Sequence, residues 1–249
     1  MSAVICEVCV DSLDGALVAQ KAGAHRIELC GSLNEGGITP SAALVQQVKQ
    51  QVDLPVHVLI RPRGGDFYYS STEFETMLGD VVFAREQRVN GVVFGVLTLD
   101  GTVDVERTRE LIEAAHPMSV TFHRACDMTR DLFETLDVLI HLGVDRVLTS
   151  GGHRSAEAGL ETIIQLVNRS AGRITVMPGG GINENNIKQI VTRSGAKEIH
   201  FSARSEKHSL MRFRNLNCTM GTDSADEYTR RVTDGDRIRA MMRVLSEGS

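Results

Sequence analysis

The sequence predicts a closed parallel (β/α)8 barrel, the TIM-barrel member of the α/β class, and three observations predict it. Short β-branched runs alternate with stretches of helical periodicity from end to end, eight of each. The chain has 249 residues, and this barrel usually takes ~250 residues. One helix-ending device recurs at three distant points, Ala22-Gly23-Ala24, Leu142-Gly143-Val144 and Ser194-Gly195-Ala196. Each places a Gly able to adopt the left-handed cap conformation shortly before the next strand. The competing fold is an open doubly wound sheet, which usually has fewer strands.

The elements follow in order. A strand at residues 4–8 leads to a helix at 13–21, and a strand at 26–30 to a helix at 42–51. Strands at 56–61 and 91–97 precede helices at 73–87 and 105–115. The second half repeats the alternation: strands at 120–123, 146–149, 174–177 and 198–202, with helices at 132–142, 156–168, 184–192 and 225–245. Such βα repeats imply right-handed parallel crossovers. No Pro/Gly/Ser-rich linker or charge block divides the chain, so residues 1–249 read as one domain. The irregular segments 31–39, 62–72 and 205–224 follow strands 2, 3 and 8. In a barrel they crowd the carboxyl-end mouth, where sites are kept.

Composition narrows the function classes. At 42% hydrophobic and 24% charged the chain is an ordinary globular protein without a bilayer-spanning run. A net charge of -5, 4% aromatics and no Trp argue against nucleic acid or an anionic membrane as partner. Residues 1–4 lead into the first strand without a charged, cleavable leader. Five cysteines make an odd, sparse set that suits a reducing, cytoplasmic setting better than a disulfide framework.

Several strand ends carry residues that an apolar core would not choose. Glu7 and Cys9 share one face of strand 1, Glu28 and Cys30 one face of strand 2, and His200, Ser202 and Arg204 one face at strand 8. With Arg61 and His123 at the ends of strands 3 and 5, these groups either converge on a pocket or close the barrel as an ion-pair network. The catalytic candidates are Glu7, Glu28, Arg61, His123 and His200, with Glu7, Glu28 or His123 as acid or base and Arg61 holding an anion. The Glu-x-Cys units suggest two thiols at one level, a soft site suited to Cu(I), with two small buried hydrophobes or a disulfide as the other readings. Gly180 and Gly181 after strand 7, with Ser202 and Arg204 after strand 8, form a candidate anion cradle. Arg63-Gly64-Gly65-Asp66 is a ligand loop or a turn pinned by an Arg–Asp pair. Cys126 packs beneath a loop, and Cys218 near Met211 and Met220 is either a Met/Cys metal box or, more simply, packing.

Longer runs carry a family resemblance. Cys6-Glu7-Val8-Cys9-Val10-Asp11-Ser12, Arg26-Ile27-Glu28-Leu29-Cys30, Arg61-Pro62-Arg63-Gly64-Gly65-Asp66-Phe67 and Thr121-Phe122-His123-Arg124-Ala125 resemble the CutC copper homeostasis family, as does Met177-Pro178-Gly179-Gly180-Gly181. The resemblance implies a cytoplasmic (β/α)8 barrel that self-associates, as a dimer or tetramer, and takes part in copper handling and tolerance. It also implies Cys9 and Cys30 as Cu(I) ligands. Cys126 stands where the family usually carries Phe. The family has no established reaction, so the alternative stands of an enzyme acting on a small phosphorylated or carboxylated metabolite at the barrel mouth.

Overall fold

A computed structural model describes residues 4–215, 217–218, 220 and 227–247. Residues 1–3, and the first two residues of the helix expected at 225–245, lie outside the described residues. Eight strands form one parallel sheet: β1 (Ile5–Val10), β2 (Arg26–Leu29), β3 (Val56–Leu59), β4 (Gly91–Phe94), β5 (Ser119–Phe122), β6 (Arg146–Thr149), β7 (Thr175–Pro178) and β8 (Glu198–Phe201). Their order is β7-β6-β5-β4-β3-β2-β1-β8. β7 and β8 lie side by side and bring the ring to near closure without a shared ladder. Around it run α1 (Leu13–Lys21), α2 (Ala42–Gln51), α3 (Ser71–Glu86), α4 (Val105–Ala115), α5 (Leu132–His141), α6 (Leu160–Ser170), α7 (Ile187–Ser194) and α8 (Gly235–Ser246).

Short polar caps start the helices. Ser12, Ser41, Asp104, Asp131 and Asp234 each accept a backbone N–H of their helix's first turn, and Ser70 forms a full capping box with Glu73. Gly23, Gly143 and Gly195 end α1, α5 and α7 with φ of 90°, 77° and 69°, a conformation costly to residues with a Cβ. The inner helix faces bury Val45, Val48, Leu111, Leu136, Leu139, Ile163 and Ile190 against the outer face of the sheet.

The expected last helix is corrected. It begins at Gly235, and the stretch before it forms β10 (Thr229–Thr233), antiparallel to β9 (Arg204–His208). Thr229, Val232 and Thr233 are β-branched and pair across the hairpin, while Asp234 caps the shortened helix. Residues 205–208, expected to be irregular, therefore belong to a strand. The helix expected from 156 starts only at Leu160, because Gly159 meets the backbone of Ser150 and occupies the N-cap.

Candidate functional site

Two polar layers occupy the barrel interior, and they do different things. In the lower one the Arg26 guanidinium donates to Glu7 and, through its Nη2, to Glu198 at 2.5 Å. Arg146 donates to the same Glu198 at 2.6 Å. His57 lies 3.7 Å from Glu7. Glu7 is wholly buried and joins this lower layer; it is not on the cavity wall above. The expectation that Glu7 faces the mouth is corrected on that point. Its register opposite Arg26 puts it one inward-facing position below Cys9.

The upper layer lines a cavity of about 460 Å³ at the mouth. Cys9, Glu28, Arg61, His123, His200, Gly180, Gly181, Ser202 and Arg204 all contribute to its wall, as do Phe67, Arg124, Arg231 and Arg237. Cys9 pairs in register with Glu28, not with Cys30, so the two thiols are not at one level. Barrel strands are staggered, and the sulfurs meet on a diagonal at 3.7 Å. The Cys9 thiol also donates to Glu28 at 3.0 Å. Cys9, Cys30, Leu59 and Val93 form a small cluster apart from the main core; Cys9 and Leu59 reach the cavity wall, while Cys30 is wholly buried and does not.

His200 joins the layers. Its Nδ1 is 2.9 Å from Glu7, and its Nε2 is 3.7 Å from Glu28. Burial alone would lower its pKa, but Glu28 and Glu7 outweigh that and raise it. Burial raises Glu28 against the pull of His200. Glu7, despite burial, is held well below the usual carboxylate range by His200 and Arg26. The hydrogen bond with Cys30, burial and the Glu28 charge together push the Cys9 thiol well above its ordinary value. Burial lowers His57 to about 4. Burial, reinforced by the Arg61 charge, lowers His123 to about 3.

These shifts set an acid limit on stability. Between the unfolded histidine value of about 6.5 and the native values of about 4 and 3, the unfolded chain binds protons at His57 and His123 that the folded chain refuses. Each site removes about 1.4 kcal/mol per pH unit in that window. The raised Glu28 opposes one of them, whereas His200 contributes below its unfolded value and is lost only as pH rises through its folded one. The net sign is loss on acidification. Urea midpoints should fall steadily from pH 6.5 to 4.5, and a flat profile there contradicts this assignment.

Other sequence candidates have structural roles. Arg63 reaches Asp66 at 3.1 Å and Glu73 at 2.7 Å, which makes residues 63–66 a pinned turn. Cys126 is buried, its thiol donating to the Leu148 carbonyl at 3.2 Å. Cys218, Met211 and Met220 are exposed, so the packing expected of them does not occur. Among the described residues, the one group of three donors spaced for an ion is Cys9, Glu28 and His200. Sequence reasoning passed over Arg26, Arg146 and Glu198, although each is a charged residue opening a strand, a place where only a partner inside the barrel makes burial tolerable.

A model of the CutC family matches residues 4–205, which ends as the β9–β10 hairpin begins. The chain is 49% identical over 242 residues to the copper homeostasis protein cutC homolog of Mus musculus, covering 97% of this chain and 89% of that one. It is 50% identical over 236 residues to the homolog of Homo sapiens, covering 94% and 86%. A CutC structure from Streptococcus agalactiae aligns with a TM-score of 0.76 at 32% identity, over 79% of this chain and 97% of that one. Phosphoribosyl anthranilate isomerase from Thermotoga maritima aligns at a TM-score of 0.58 and 12% identity, over 98% and 99%; that likeness is one of fold alone.

Proposed function

The chain belongs to the CutC family of copper homeostasis proteins, and from that premise we propose that it binds Cu(I) as cargo between Cys9 and Cys30, in a reducing compartment such as the cytoplasm. One observation carries the reading: the two sulfurs lie 3.7 Å apart, Cys9 on the cavity wall and Cys30 buried directly behind it. With metal–sulfur bonds of about 2.3 Å, as for zinc, that separation gives an S–metal–S angle near tetrahedral, not linear. A third donor then fits, and Glu28 and His200 each hold one near Cys9, all within 4.8 Å of one another. Thiolate sulfur favours a soft ion over Mg(II) or Ca(II), which take oxygen. The Glu7 carboxylate on His200 Nδ1 orients the ring as carboxylates orient metal-binding histidines, leaving Nε2 toward Glu28. Five free thiols support the reducing setting.

The raised Cys9 thiol implies that copper displaces a proton, so affinity should rise with pH. Under anaerobic reducing conditions with a competing Cu(I) chelator, the wild type should retain about one copper per chain. Cys9→Ser and Cys30→Ser should each lose it and Cys218→Ser should keep it. Equal retention by all three variants refutes the site.

A further inference from the structure

The cavity holds far more than an ion needs. At about 460 Å³ it falls in the range of small-molecule sites, and its charge is lopsided. Arg124 is paired with Asp127, and Arg237 with Glu184. Arg61, Arg204 and Arg231 line the same wall with no carboxylate within ion-pair distance among the described residues. Facing them on the wall, Glu28 is already engaged by Cys9 and His200. The upper wall therefore carries uncompensated positive charge.

Unused donors belong to residues of the same wall, their side-chain polar atoms themselves buried. His123 is 6% exposed, and its Nδ1 accepts the Ala125 N–H at 3.2 Å. That bond places the ring proton on Nε2, which has no acceptor. Phe67 packs on the ring at 4.9 Å and fixes its orientation. Arg61 is also 6% exposed; it gives Nη1 and Nη2 to the carbonyls of Glu35, Gly37 and Gly65, while its Nε donates to nothing. The Nε of Arg204 is buried without a partner. The N–H groups of Gly180 and Gly181, at φ of 94° and 73°, donate to no acceptor among the described residues. The three buried side-chain donors left without acceptors cost about 1–3 kcal/mol each, and a bound acceptor removes that cost.

We propose that this cavity is the binding site of a small phosphorylated molecule, its phosphoryl group held by Gly180, Gly181 and Arg204 and a carbonyl or hydroxyl oxygen accepting from His123 Nε2. A phosphoryl group has three acceptor oxygens directed apart, which matches two backbone donors on one loop and an arginine from the next better than a planar carboxylate does. His123 is neutral near pH 7 because its pKa is about 3, so it recognises a polar oxygen and leaves the charge to the arginines. The site stands independently of copper, since none of these donors is a sulfur.

Calorimetric titration of metal-free protein tests it, with inorganic phosphate, glycerol 3-phosphate, glycerol and succinate as probes. Phosphate should bind weakly, glycerol 3-phosphate roughly tenfold more tightly, and glycerol and succinate not detectably. Arg204→Ala should weaken both phosphates by roughly tenfold or more. His123→Phe should abolish only the advantage of glycerol 3-phosphate. In the wild type, the His123 Nε2–H resonance should shift on adding glycerol 3-phosphate, a reading that needs no variant to fold. Absence of heat with either phosphate at millimolar concentration overturns the proposal, as does succinate binding as tightly, unchanged binding in Arg204→Ala, or an unmoved His123 resonance.

Discussion

Glu7→Ala should lower the unfolding free energy by about 3–5 kcal/mol. The substitution removes the carboxylate that Arg26, His200 and His57 all face. Arg26 would keep only Glu198, which Arg146 already occupies at 2.6 Å. Two guanidiniums would then share one carboxylate in a dry interior, and an uncompensated buried charge is what makes breaking such a network costly. His200 would also lose the partner that fixes its ring and one of the two charges raising its pKa. Glu7→Gln keeps the volume and one accepting oxygen, so it should cost less. Urea unfolding of both variants measures the difference. A loss in Glu7→Ala no larger than that of an exposed substitution would show the network to be slack.

Gly159→Ala should cost about 3 kcal/mol or more, at the upper end of overpacking effects. A Cβ there would lie 1.9 Å from the Ser150 carbonyl oxygen and 3.0 Å from the Gly151 Cα. Both are backbone atoms, so no rotamer change relieves the clash. The displaced segment matters to the cavity, because Ser150 accepts from Arg124 Nη2 at 2.7 Å and donates its N–H to Asp127. Arg124 should therefore shift with it. Gly79→Ala is the matching control. Gly79 lies inside α3 with nothing within 4 Å of its would-be Cβ, and Ala there should add about 0.5–1 kcal/mol. Thermal melts that rank the two variants the other way would contradict the packing described.

The alternation of β-branched runs with amphipathic stretches and the glycine helix stops determined the barrel, because both are local signals. The same local reading failed at residues 205–208 and 229–233, where strand formation depends on a partner between 21 and 29 residues away and a helical pattern competes. The sequence also marked which strand ends carry chemistry, since Glu, Cys, His and Arg on strands that should be apolar stand out wherever they occur. It could not say how those groups divide. Whether Glu7 faces ligand or Arg26, and whether Cys9 lies level with Glu28 or with Cys30, depends on the stagger between neighbouring strands, which no single strand encodes. Tertiary structure alone decided that one layer of charges is spent on itself while the layer above keeps unpaired donors, because pairing depends on distances across the barrel between residues as far apart in sequence as Glu7 and His200.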